Sequence, residues 1–562
     1  MSIINFNARS SSESSVPSAN VSVAASPVTD LSWDQSACIR RATGDYLESL
    51  SRPITLSNSE LRDGCMIAIK DAIVERNVVQ GNKVAIPQKL VNTSIGDLIL
   101  AKYEVRSFSW TGDSNDGFMV AIYQESGPNA GIYDGSFTLF RRLVNDFEYT
   151  ATHSDVKEVI SYLEANAKNA CESKHPDLIA FNNGILDYKT KQLMPFSPDI
   201  CLLAKSSVDY PTNPPLNPHI TMPDGVTWDF DSWIESLSED PDIVDLLLKI
   251  CGAILRPNVR WDHAICLSGK EGMNGKGTFC QLLRNLCGDN RYVSLELRDF
   301  SKDSMVAKLM FAIAVITDEN DTKSTAKGLS RFKAAVTGDS ITIDRKYMSA
   351  ITFRFSGLIV QCLNSLPRTD DTTESLYRRF IMVPFDKTFK NVERKYIKSD
   401  YLHRPDVLEY VAWKVMNIPD YYKLPEPNAC KELLGMYKEF NDPVLEFVNT
   451  VFPEFSWEKV PQSFIVDLYY KWAQKNSPSG RTIGSRELSE KIREIVQSIF
   501  SNEWIFANNE VRINKNDNKA PELMICEYGL DDWRSKSYKG TDPNKMSMPT
   551  FKEKYRNVYI KI

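Results

Sequence analysis

The residues with the clearest chemical potential lie together in Leu267-Ser-Gly-Lys-Glu-Gly-Met-Asn-Gly-Lys-Gly-Thr278. A short apolar run, Ala264 to Leu267, leads in, and a helical pattern with Phe279, Leu282, Leu283 and Leu286 on one face leads out. Strand, glycine-rich turn and helix in that order form a phosphate loop: backbone N–H groups and a helix N-terminus converge where a polyphosphate can sit. Gly269, Gly272, Asn274, Gly275, Gly277 and Thr278 would bind it, and Lys276 would reach the β and γ phosphates. The usual pattern G-x-x-x-x-G-K-S/T is broken twice. Lys270 holds the place of the first glycine, with Gly269 one position early, and Gly277 stands where a magnesium-binding hydroxyl belongs, with Thr278 next. Mg²⁺ is then held through Thr278 or through water. The plain alternative is a glycine-rich turn with a solvated lysine.

Nucleotide hydrolysis also needs an acid to hold the metal and a group to activate water. Downstream, Phe311-Ala-Ile-Ala-Val-Ile-Thr-Asp-Glu-Asn320 has the apolar run of a buried parallel strand that ends on two carboxylates. Asp318 would hold Mg²⁺ and Glu319 would polarise the attacking water; taken alone, such a pair is equally a helix N-cap. A further apolar strand, Leu358 to Leu363, ends on Asn364, whose amide suits a sensor of the γ phosphate or of water. Arg378 and Arg379 follow inside Leu376-Tyr-Arg-Arg-Phe-Ile-Met-Val-Pro-Phe385. A guanidinium makes bidentate, charge-assisted bonds to phosphate, although paired arginines are commonly surface ion-pair partners. Between these segments Ile341, Ile343, Ile351, Phe353 and Phe355 alternate with polar residues around Lys346-Tyr-Met-Ser-Ala350. That is a hairpin with a basic and aromatic tip, so Lys346 and Tyr347 are candidate DNA contacts; an ordinary solvated tip is the alternative.

These residues resemble the superfamily-3 helicases of the AAA+ class, most closely the primase-helicase proteins of phages, plasmids and satellite elements related to the poxvirus replication helicase. The resemblance covers residues 118 to 390 well and 440 to 510 more loosely. It is carried by Asn274-Gly275-Lys276-Gly277-Thr278, Asp318-Glu319, Lys333 with Thr337-Gly338-Asp339, Ile341 to Tyr347, Asn364-Ser-Leu-Pro367 and Arg378-Arg379. It implies an ATP-dependent replicative DNA helicase with ATP and Mg²⁺ as cofactors. It also implies a ring of identical subunits, typically a hexamer, in which Arg379 completes a neighbour's site. The hairpin from Ser340 to Phe355 would enter the central channel, where Lys346 and Tyr347 touch the DNA backbone, and translocation would run 3′ to 5′. A separate primase or host replication proteins are further partners the family allows. Two other readings stay open: an origin-binding initiator with weak or no unwinding, and a small-molecule kinase, since Gly-Lys-Gly-Thr occurs in nucleotide kinases too.

The elements that position these groups suggest an α/β fold with an N-terminal α+β domain and a C-terminal winged-helix domain, and the resemblance implies that its core is an AAA+ P-loop ATPase. The 562 residues, 42% hydrophobic and 25% charged, allow roughly three to four domains. A net charge of −6 confines any DNA contact to local patches. No run approaches the length of a membrane span and no signal pattern opens the chain, so the host cytoplasm is expected. Eleven cysteines without C-x-x-C spacing read as reduced thiols. The expected layout is a disordered serine-rich segment at 1–30, an accessory domain at 31–115 and a collar domain for subunit assembly at 116–210. A proline-rich linker and helical lead-in at 211–260 precede the ATPase at 261–390. A helical connection at 391–440, a winged helix at 441–526 and a basic tail at 527–562 follow. No Asp-x-Asp occurs in the first 150 residues, and Asp229-Phe-Asp231 reads as a helix cap, so primer synthesis is not assigned. The third helix of the winged domain would place Lys491 and Arg493 toward DNA, with Arg512 and Lys515 on the wing, a fold that serves protein partners as well.

Overall fold

The computed structural model describes residues 34–562 except 82, 110–118, 270–271, 319, 321–327, 345–349, 364–368, 370, 372, 391, 393, 477–482, 514–516 and 549–554. The expected disordered segment 1–30 lies outside the described residues. Two compact units emerge, Met1–Lys102 with Phe140–Tyr162, and Tyr103–Leu139 with Leu163–Ile562.

The first unit is helical. Its longest helix, Asn58–Gln80, starts at a capping box between Ser57 and Glu60 and ends on Gly81, whose φ of 67° stops the helix. Leu61, Cys65, Ile69 and Ile73 recur every fourth residue and are buried. The expected boundary at 115/116 is displaced. Val105–Phe108 pairs with Met119–Tyr123 and with Lys168–Ala170, which ties it to the second unit, while 140–162 return to the helical one.

In the second unit, Leu178–Phe181 and Gly184–Asp187 form a hairpin that closes over Asn182 and Asn183. Asn183-Gly184, a dipeptide common in tight turns, sits at this turn. The core follows. We label its strands β1 (Ala264–Ser268), β2 (Tyr292–Val293), β3 (Ala314–Thr317), β4 (Leu358–Leu363) and β5 (Phe380–Pro384); helix α1 (Lys276–Cys287) follows β1. All pairings are parallel, in the order β2-β3-β4-β1-β5. A parallel sheet is covered on both faces, which is why these strands read as unbroken apolar runs. Ile265, Leu267, Ile316, Val360 and Val383 face one cluster, with Phe279, Leu282, Leu283 and Leu286 of α1. Ala264, Cys266, Val315, Ile359 and Met382 face the other.

The proline-rich 211–260 segment is no free linker. Ile220–Thr221 pairs with Thr227–Trp228, and Tyr210, Met222 and Trp228 are buried in the cluster that contains β1. Its prolines set an extended backbone, and its aromatic residues still find apolar neighbours. Asp229 caps the helix Phe230–Glu235, as expected. Ser340–Ile343 pairs antiparallel with Ile351–Arg354, burying Ile341, Ile343, Ile351 and Phe353; Thr342 and Thr352 meet on the polar face at 2.9 Å.

Toward the C-terminus, three helices span Pro443–Val451, Gln462–Asn476 and Ser485–Ile499. The sheet of this region is built by Tyr555–Lys561, which pairs with Trp504–Arg512 and with Lys459–Pro461, whereas Met524–Glu527 is helical. The supposed tail 527–562 therefore supplies the central strand of a three-stranded sheet, with Val558 and Tyr559 fully buried.

Candidate functional site

Strand β1 delivers the chain to the C-terminal edge of the sheet, where open parallel sheets bind ligands. Met273 and Gly275 take positive φ values of 58° and 90°, and no side chain caps α1. A β-carbon on Gly275 would come within 2.9 Å of Leu237, and one on Gly269 would collide with Asn274, so both positions need glycine. Lys276 and Asn274 are buried, at 4% and 5% exposure. Lys276 Nζ donates to the Gly269 carbonyl at 3.1 Å, and Asn274 Nδ2 donates to the Phe385 carbonyl at 3.3 Å. Burial lowers the Lys276 pKa, and the nearby Cys362 and Cys280 thiols counter it in part. Among the described residues Lys276 has no carboxylate partner. A buried ammonium held only by a carbonyl is costly, and an anion at this edge would relieve the cost.

Asp318 follows β3 at the same edge, 46% exposed, with one oxygen 2.7 Å from Nη2 of the mostly buried Arg284 of α1. The turn that carries it is fastened from behind. Thr317 Oγ1 donates to the Leu295 carbonyl at 2.9 Å, and Gln361 Nε2 donates to that carbonyl at 3.0 Å. Asn320 Nδ2 donates to Gln361 Oε1 at 2.9 Å and to the Cys362 carbonyl at 3.2 Å, while Asn320 Oδ1 accepts from the Leu297 amide at 3.1 Å. Gln361, Asn320 and Arg284 were missed from sequence. The available signal was Gln361, a fully buried polar residue inside an otherwise apolar strand. Glu319 and Asn364 lie outside the described residues.

The arginines lie at the other edge. The Arg379 carbonyl accepts from the Ala264 amide at 2.7 Å, at the start of both β1 and β5. The five residues of β1 therefore separate it from Gly269 by roughly 17 Å of strand. Arg379 Nη1 binds the carbonyl and hydroxyl of Ser375, its Nε is buried without a hydrogen-bond partner among the described residues, and Arg378 is exposed. The phosphate loop and the arginine pair are thus not brought together within one chain.

Beside the loop a cavity of about 740 Å³ opens, bounded by Gly275 and Thr278 and walled by Trp228, Trp233, Leu237 and Phe389. Its size and apolar walls suit a small planar ligand. Trp228 Nε1 is a buried donor with no partner among the described residues. At the rim, Lys398 Nζ lies 3.5 Å from where a β-carbon on Gly277 would be. Three of the walls, Trp228, Trp233 and Leu237, come from the supposed linker, so the sequence concealed them.

The hairpin brings its two strands together, but Lys346 and Tyr347 lie outside the described residues, as does Lys515. Lys491 Nζ is ion-paired with Asp442 at 2.8 Å, and the Arg493 guanidinium sits 4.2 Å from the centre of the Phe506 ring. Both are engaged within the domain rather than offered to solvent, whereas Arg512 is exposed. Among the described residues no helix is long and apolar enough to cross a membrane.

Three family models match. Residues 267–379 match a family of unknown function (DUF5906), 439–535 match "Poxvirus D5 protein-like", and 141–239 match "D5 N terminal like". Among solved structures, the apo C-terminal region of NrS-1 aligns at 13% identity over 74% of this chain and 91% of that one, with a TM-score of 0.39. A second NrS-1 form aligns at 15% identity over 82% and 93%, also at 0.39. JCV helicase bound to a small compound aligns at 18% identity over 37% of this chain and 58% of that one, at 0.24. Superpositions this loose carry no weight; the two D5 matches lie on either side of the parallel α/β core and its glycine-rich loop, and over residues 141–239 and 439–535 the chain is similar to D5-like proteins.

Proposed function

We propose that this chain is an ATP-dependent replicative DNA helicase that works as a ring, typically a hexamer, and is encoded by a phage, plasmid or satellite element. The observation that carries this reading is the buried ammonium of Lys276, without an anionic partner among the described residues, at the sheet edge where Asp318 presents a half-exposed carboxylate. The triphosphate lies along the loop from Gly269 to Thr278 and the base enters the cavity between Trp228, Trp233 and Phe389. Asp318 and Thr278 offer the oxygen donors that Mg²⁺ prefers, and the ion, when bound, neutralises charge on the phosphates. Glu319, next in the chain, orients the water and Asn364 senses it. With Arg379 about a strand's length from its own loop, its guanidinium serves the site of a neighbouring copy. The hairpin on Ser340–Ile343 and Ile351–Arg354 carries Lys346 and Tyr347 to one DNA strand, and each hydrolysis moves it along that strand.

Measuring DNA-stimulated ATPase and forked-duplex unwinding for wild type and Lys276→Ala tests this. The variant should lose both activities. Equal ATPase rates in the two proteins would overturn the proposal.

A further inference from the structure

The longest-range consequence of the α1 and β4 sequences is a pair of thiols beneath the phosphate loop. Cys280 lies one helical turn beyond Lys276, and Cys362 is on β4. Their sulfurs are 3.2 Å apart, both side chains are buried, and one Asp318 oxygen completes a trio whose ligand atoms all lie within 4.8 Å of one another. We propose that Cys280, Cys362 and Asp318 form a binding site for a soft divalent cation of the zinc or cadmium type, inside the ATPase centre.

Geometry and charge both favour it. Bond lengths of about 2.3 Å to sulfur and 2.0–2.2 Å to oxygen in a tetrahedron place the donors about 3.6–3.8 Å apart. The three groups reach that spacing through small side-chain movements. Two sulfurs select a thiophilic ion, whereas Mg²⁺ demands oxygen. Binding releases the two thiol protons to solvent and forms two metal–sulfur bonds and one metal–oxygen bond, with no change of oxidation state. The two thiolates, the carboxylate and the dication sum to one negative charge (−3 + 2 = −1). Arg284, paired with Asp318 at 2.7 Å, stands beside it as counter-charge. The ion enters on the Asp318 side, since that carboxylate is 46% exposed while the thiols are not. The fourth tetrahedral position is open to water.

The functional consequence rests on the helicase reading. Asp318 cannot serve Mg²⁺ while it holds a soft ion, and the same ion clamps α1 to β4. A zinc-type cation therefore acts as an inhibitor of hydrolysis that competes with Mg²⁺ for one carboxylate.

The test uses the full chain, reduced and freed of chelator, titrated with Cd²⁺ while thiolate-to-metal charge-transfer absorption is followed. Wild type should develop the band with one saturating equivalent; Cys280→Ser and Cys362→Ser should each lose it, and Asp318→Asn should bind more weakly. Zn²⁺ added over Mg²⁺ should suppress ATPase in wild type, reversibly with chelator, but not in the two serine variants. X-ray absorption of zinc-loaded wild type needs no variant and should show two sulfur neighbours. An all-oxygen-and-nitrogen shell, or a band that survives both serine substitutions, overturns the site. If wild type hydrolyses ATP but gives no band, the site fails and the helicase reading stands. If it gives the band but hydrolyses nothing, the site stands and the helicase reading fails.

Discussion

Replacing Gln361 by Leu tests whether the network behind the Asp318 turn sets the catalytic geometry. The amide is fully buried, donates to the Leu295 carbonyl at 3.0 Å and, at the longer distance of 3.5 Å, to the Thr317 hydroxyl, and accepts from Asn320 at 2.9 Å. Leucine fills much of the same space and removes the two short bonds together with the long one. Neither partner of a short bond is stranded, because the Leu295 carbonyl keeps Thr317 and Asn320 keeps the Cys362 carbonyl. Each lost short bond is therefore worth about 1 kcal/mol, giving roughly 2 kcal/mol before the modest gain from a more apolar side chain. The local effect is larger than the global one, since Asn320 loses the group that fixes its orientation and sits two residues from Asp318. If about 1.4 kcal/mol of that loss reaches the transition state, kcat falls about tenfold. KM for nucleotide should move far less, because Lys276 and the loop are untouched. Hydrogen exchange of peptides spanning 295–297 and 317–320, read beside steady-state ATPase, is the assay. Gln361→Glu should be worse at neutral pH, because it buries a charge and loses the donor to Leu295. Unchanged exchange together with unchanged kcat in Gln361→Leu would refute the reasoning.

Three further outcomes are expected. Lys276→Ala and Arg379→Ala proteins, each inactive alone, should regain a fraction of the wild-type ATPase rate when mixed, because one supplies the loop and the other the arginine; silence in the mixture counts against a shared site. Asp155 accepts from the Thr152 amide and hydroxyl and from Asn92, and these bonds hold its pKa at about 2, below the ordinary 3.8. A depressed carboxyl stabilises the fold above its unfolded pKa, so this contribution is whole above about pH 4 and is lost as pH falls toward 2. Asp155→Asn should abolish that dependence in acid unfolding of the helical unit. Deleting residues 555–561 removes the buried Val558 and Tyr559, about 1.5–3 kcal/mol each, and should leave 443–548 open to limited proteolysis; an intact domain would restore the tail reading.

What was legible in the sequence followed from burial on both faces and from backbone demands. β1, β3 and β4 announced themselves as apolar runs, and the alternation of Ile341, Ile343, Ile351 and Phe353 set the hairpin. Elements whose identity depends on distant partners were hidden. Tyr555–Lys561 carries charge at Arg556 and Lys561, and only its neighbours Lys459–Pro461 and Trp504–Arg512 make it a strand. Lys491 and Arg493 looked free on their helix, and their engagement with Asp442 and Phe506 is tertiary. Prolines concealed the aromatic walls of the cavity, since extended backbone suggests a linker whether or not its side chains find a core.

The placement of Tyr555–Lys561 between two older strands has a bearing on biosynthesis. Lys459 must wait for Ile560, 101 positions later (560 − 459), before its ladder can close. While the ribosome is still delivering that interval, Lys459–Pro461 and Trp504–Arg512 cannot join each other directly, and each presents an unpaired edge. Maturation of this region is therefore held until synthesis has passed residue 561. The nascent chain meanwhile exposes a gap that fits a strand from any other copy emerging nearby, which makes dilution and chaperone supply the controlling variables for its yield.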